Sequence, residues 1–127
     1  MADLDPKGLC KQIVATDESI RTATIVDEMG KIIASELRKG LVPLLSEQER
    51  DSYAIKSALS KMHKEEFETK LGGLIYSSSV YKKVKRIDIP LNRKGMGLLI
   101  VTFDISTNHE SVIFDKILPL LERRLSE

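Results

Sequence analysis

Four positive side chains, Lys82, Lys83, Lys85 and Arg86, fall within five positions, flanked upstream by Tyr76 and Tyr81 and downstream by Ile87, Asp88 and Ile89. Cations beside aromatic rings suit single-stranded nucleic acid, whose phosphates pair with the charges while bases stack on the rings. On an extended chain, however, successive side chains point to opposite faces. Lys82, Val84, Arg86 and Asp88 then share one face and Lys83, Lys85, Ile87 and Ile89 the other, so the charge is divided. Lys and Arg number 20 against 19 Asp and Glu, for a formal net charge of +1, and no overall field draws the chain to nucleic acid. The simpler reading is a strand-to-strand connection at 81–83, with Lys85 and Arg86 opening the next strand and the lysines discouraging unwanted strand pairing. An acidic protein docking on this patch is a second reading, and single-stranded nucleic acid a third.

Other constellations are poorer. His63 and Glu66 have the spacing of a helical ligand pair but lack a third partner, and the chain holds two histidines and one cysteine in all. Asp104, His109 and the serines at 77–79 have the residue types of a hydrolytic triad without a nucleophile elbow. Gly72-Gly73 lacks the following Lys and Ser/Thr of a phosphate loop, and Gly95-Met96-Gly97 stands before a strand where such a loop precedes a helix. No carboxylate pair sits in an apolar context that would tune one as acid and the other as base. Neither catalytic residues, cofactor nor metal site is therefore expected. Cys10, alone, reads as a small buried hydrophobe in a reducing compartment. The acidic start MADLDPKG is unlike a secretory leader, and the longest apolar run, near 96–101, is too short to cross a bilayer. A cytoplasmic protein without membrane insertion is expected.

The positioning elements follow from periodicity and punctuation. Asp5-Pro6 caps a first helix running to about Ala15, with Leu9, Cys10, Ile13 and Val14 as its stripe. IRTATIV and KIIASEL are strand-like and flank Asp27-Glu28-Met29-Gly30, a hairpin turn. Ser46 and Glu49 form a capping box that opens a helix ending at Gly72-Gly73, with a break near His63. Its packed face is expected at Ile55, Ala58, Leu59, Met62, Phe67 and Leu71. Residues 74–79 and 84–91 form two more strands, and Asn92-Arg93-Lys94-Gly95 turns into GLLIVTFDI. In that last strand Leu98 and Ile100 point one way and Leu99, Val101 and Phe103 the other, so both faces of the sheet must be covered. Thr107 and Glu110 repeat the capping-box pattern before a final helix that Pro119 should kink.

The final helix is apolar at Val112, Ile113, Phe114, Ile117, Leu118, Leu120, Leu121 and Leu125, more than one core-facing stripe requires. Full burial of such a side chain is worth roughly 1.5–3 kcal/mol. Either an exposed second face invites a partner, with Ile113, Ile117, Leu120 and Leu121 as anchors beside Tyr76 and Tyr81, or the helix lies deep against the sheet.

The order α-β-β-α-β-β-β-α resembles the roadblock family and its longin and profilin-like relatives. The resemblance is carried by LCKQIVATDESIRTATIVDEMGKIIAS, residues 9–35, with its D-x-x-G turn from Asp27 to Gly30, and by the apolar strand GLLIVTF. It implies one domain over 1–127, of the α/β (α+β) class, with a five-stranded antiparallel sheet and helices on both faces. It also implies a non-enzymatic platform that dimerises by pairing sheets or long helices and binds a small GTPase or another protein subunit. PAS-like small-molecule sensors share the order of elements. A pocket with polar groups between long helix and sheet would mark that alternative.

Overall fold

A computed structural model describes residues 5–126. Helix α1 (Pro6–Ala15) leads into strands β1 (Ile20–Val26) and β2 (Ile32–Leu37), then helix α2 (Glu47–Glu65) and a short α3 (Glu68–Leu71). Strands β3 (Ser77–Val80), β4 (Val84–Arg93) and β5 (Met96–Asp104) follow. The chain then enters a helical arm made of α4 (His109–Val112), a π-helical turn (Ile113–Ile117) and α5 (Leu118–Leu125). The strands form one antiparallel sheet in the order β2-β1-β5-β4-β3, with β5 in the middle and β2 and β3 at the edges.

The uninterrupted apolar run of β5 is covered on both sides. Leu99, Val101 and Phe103, none of them accessible, belong to a large core with Leu9 and Ile13 of α1 and with the helical arm. On the opposite face Leu98 and Ile100, each 1% exposed, join Val26 and Ala54 of α2 in a smaller core. Cys10 lies buried among the α1 residues, where burial pushes its thiol up to about 11.

Local chemistry explains the turns. The Asp27 side chain accepts hydrogen bonds from the Met29 and Lys31 backbone N–H groups, closing the β1–β2 hairpin through Gly30 at φ 89°. Ser46 and Glu49 make both bonds of the capping box at the start of α2. At the arm the cap is Asn108, whose side chain accepts from the Ser111 N–H, in place of the expected Thr107. Pro119, lacking an N–H, falls in the first turn of α5 directly after the π-helical turn, so the expected kink is expressed as one widened turn. Strand β3 is shorter than the expected 74–79, and the break in the long helix falls at 66–67 instead of near His63.

Two packing expectations need correction. Ile113, Ile117, Leu120 and Leu121, expected as partner anchors, are 0–6% exposed and form part of the main core, because the arm packs its widest apolar face onto the sheet beside α1. Conversely, α2 does not bury its large apolar residues. It buries Ala54, Ser57 and Ala58, while Ile55, Leu59, Met62 and, beyond it, Phe67 remain about half exposed and Leu71 more so. The reason lies in the β1–β2 turn: a Cβ on Gly30 would stand 2.7 Å from the Ile55 Cα and 3.3 Å from the Ala58 Cβ. A helix backbone held so near leaves room only for small side chains underneath.

Polar ties fix the sheet ends. Asp104 at the end of β5 accepts from Arg21 of β1 and from Arg38 beyond β2, each at 3.1 Å, lacing three neighbouring strands. Burial raises the Asp104 carboxyl, but the hydrogen bonds and charges of the two arginines outweigh it and hold the group below its ordinary value. Asp17 accepts from the Ser19 hydroxyl at 2.6 Å and from Lys116 at 2.9 Å, joining the α1–β1 loop to the arm. The Ser19 bond and then the Lys116 bond lower its carboxyl from 3.8 to about 2. A depressed carboxylate stabilises the fold above its unfolded value and loses that contribution as pH falls through its folded value. Wild type should therefore exceed Asp17→Asn in stability at neutral pH. In paired denaturant titrations the gap should close between pH 3.8 and about 2; a gap independent of pH would show that the carboxylate's charge contributes nothing.

Candidate functional site

The basic stretch is dispersed by the pleat. Lys82 and Lys83 are exposed in the β3–β4 turn. The Lys85 ammonium donates to the Thr107 backbone carbonyl at the base of the helical arm. Arg86 turns to the opposite side of the sheet, its guanidinium carbon 4.0 Å from the centre of the Tyr53 ring. The tyrosines part in the same way. Tyr76 packs edge-on against His109 and Phe114, with ring centroids 6.1 Å apart in both pairs. Tyr81 reaches α2, its hydroxyl 3.3 Å from that of Tyr53. Burial and then the Tyr81 bond push the Tyr53 hydroxyl up to about 12, so it keeps its proton at neutral pH.

Tyr53, Tyr81 and Arg86 stand at one side of a cavity of about 290 Å³ between the sheet, α2 and the loop at 41–45. The floor is set by strand register. Thr102 of β5 faces Thr22 of β1 on one side and Arg86 of β4 on the other, and all three line the cavity. Val42, Pro43, Leu44 and Leu45 form an apolar wall, and Arg21 and Arg50 complete the cationic lining. Sequence reading missed Tyr53 and Arg50; it anticipated a pocket between the long helix and the sheet only as the mark of the small-molecule sensor alternative, and the cavity has that placement. A signal was present: Arg50, Tyr53, Ala54, Ser57 and Ala58 fall at i, i+3, i+4, i+7 and i+8, a second stripe beside the larger apolar one.

The other notable surface is the outer side of α2 and the chain beyond it. Ile55, Leu59 and Met62, at i, i+4 and i+7, are 49–56% exposed, and Phe67, Leu71 and Ile75 continue the apolar series at 52–83%. The edge strand β3 pairs only with β4 and exposes Val80. No group of three or more His, Cys, Asp or Glu able to hold a metal ion occurs among the described residues. No helix among them is long and apolar enough to cross a membrane.

No protein-family model matches the sequence, and no curated protein matches it. Solved structures do match its fold. A Roadblock/LC7 domain from Streptomyces avermitilis is 11% identical, with a TM-score of 0.70 over 94% of this chain and 93% of that one. The gliding protein MglB from Thermus thermophilus is 14% identical, with a TM-score of 0.70 over 97% and 93% of the two chains. An MglB structure with a tetrameric arrangement is also 14% identical, with a TM-score of 0.72 over 97% and 90%. Matched along nearly its whole length by structures that share so little sequence with it, the chain has the roadblock fold.

Proposed function

We propose that the chain is a non-catalytic protein-interaction module that acts as a homodimer and docks a further protein, a small GTPase or another subunit, as the roadblock resemblance implies. The observation that carries this reading is the orientation of α2, which gives its small residues to its own sheet and its large ones, Ile55, Leu59 and Met62, to the outside. Large apolar side chains grouped on one exposed stripe mark an interaction surface. The open edge of β3 offers unpaired backbone groups beside it, a second way for two copies to join. The tetrameric arrangement of one similar MglB structure supports an assembling role.

Light scattering across a dilution series tests the dimer. Wild type should show twice the 14.3 kDa chain mass. Leu59→Lys with Met62→Lys should shift dissociation upward by on the order of a hundredfold or more, since each lost burial is worth roughly 1.5–3 kcal/mol per copy. Both positions are half exposed in one chain, so the variant keeps its helical circular dichroism. A wild-type mass equal to one chain at every concentration would remove the homodimer.

A further inference from the structure

We propose that the cavity between the sheet and the first half of α2 is a binding site for a small amphipathic anion, its charged head over the Thr22–Thr102–Arg86 row and its apolar body against the 42–45 loop. This inference is independent of the dimer, which rests on the opposite side of α2.

Three observations converge on it. The first is an unmatched polar floor. Thr102 is 4% exposed and its hydroxyl has no hydrogen-bond partner among the described residues, nor has the buried Nε of Arg86. A buried hydroxyl without a partner costs stability, and a close-packed core would place valine there. Thr102 and Arg86 are directly opposed across β5 and β4, as Thr102 and Thr22 are across β5 and β1. Opposed residues hold their Cβ atoms about 4.5–5.5 Å apart, so one carboxylate or phosphate spans neighbouring groups of the row.

The second is charge. Arg21, Arg50 and Arg86 line the cavity and, among the described residues, no Asp or Glu does. Asp104 sits outside the lining, bonded to Arg21 and Arg38. Asp88 also lies outside it; burial raises its carboxyl against the lowering effects of a Ser57 hydrogen bond and the Arg86 charge. Stacking on Tyr53 holds the Arg86 guanidinium plane in place, which favours planar, paired recognition of an anion over a loose contact. The third is shape. About 290 Å³ lies at the small end of ligand pockets, and an apolar wall with a few grouped polar atoms is their usual composition.

Calorimetric titration of the full chain with decanoate, decyl phosphate and uncharged 1-decanol tests the site. Saturable one-to-one binding of at least one anion is expected, with 1-decanol markedly weaker, and the tighter anion identifies the head group. Arg86→Gln and Thr102→Val should each weaken that binding by about tenfold or more, the effect of losing one bond to a charged group. Lys82→Gln, outside the cavity, should bind as wild type does. Thr102→Val preserves shape, so its melting temperature should equal or exceed that of wild type while its affinity falls; a water-filled cavity would give the first effect without the second. Should Arg86→Gln fail to fold, Arg50→Gln on the helix surface supplies the charge test. Absence of saturation by either anion, equal binding of 1-decanol, or unchanged affinity in the Thr102 or the arginine variant overturns the proposal.

Discussion

Phe103→Ala should lower the unfolding free energy by about 3–5 kcal/mol, the range for removing a buried aromatic ring and leaving a cavity. The ring is inaccessible and belongs to the core that joins β5 to α1 and to the arm. The central strand, the first helix and the last helix meet at this core, and the register Ile20↔Phe103 aligns β1 with β5 there. Neither helix can move in to fill the space without breaking its neighbour's ties, such as the Lys116–Asp17 bond between arm and loop. Against a typical total of about 5–15 kcal/mol, such a loss leaves a marginal fold. Denaturant unfolding checks it, with Leu59→Ala as a comparison. Leu59 is 50% exposed, so at concentrations where the chain is monomeric its truncation should cost much less than that of Phe103. Equal costs would mean that α2 buries its large stripe after all.

That comparison also shows where the sequence was legible. Alternation on GLLIVTF implied a sheet covered on both faces, because a strand apolar at every position cannot face water on either side, and Leu98 through Val101 are all buried. The Asp27–Gly30 turn and the Ser46–Glu49 box were readable because each is closed by local bonds that need no tertiary partner. Helix faces were not. Apolar spacing identifies a stripe but not what lies opposite it, and α2 carries two candidate stripes. Of the expected stripe Ile55, Ala58, Leu59, Met62, Phe67 and Leu71 only Ala58 is buried, because the turn glycine Gly30, about two dozen residues upstream, holds the helix too near for large side chains. On the arm the apolar spacing left two readings open, an exposed second face anchored by Ile113, Ile117, Leu120 and Leu121 or deep packing, and the sheet and α1 together absorb these residues. The candidate site was invisible for a related reason. Thr22, Thr102 and Arg86 are distant in sequence and become neighbours only through the β1–β5–β4 register.

Gly30 therefore governs both surfaces of α2, and its substitution should be unusually costly. Gly30 and Gly40 share nearly the same positive φ, 89° and 88°, but differ in surroundings. A Cβ at Gly40 meets nothing within 4 Å, whereas at Gly30 it meets the Ile55 Cα at 2.7 Å and the Ala54 carbonyl oxygen at 3.2 Å. Gly40→Ala should cost only the left-handed backbone penalty, about 1–2 kcal/mol. Gly30→Ala should add the cost of overpacking against a helix backbone that cannot rotate away, roughly another 1–3 kcal/mol. Subtracting the two melts removes the positive-φ penalty that both positions carry and leaves chiefly the helix contact. The displacement has a second readout, because α2 supplies both Tyr53 to the cavity and Leu59 to the outer stripe: Gly30→Ala should weaken anion binding and self-association together, while Gly40→Ala leaves both unchanged. Identical stability losses in the two variants would mean that α2 does not rest on the β1–β2 turn, and the inward placement of its small residues would lose its physical cause.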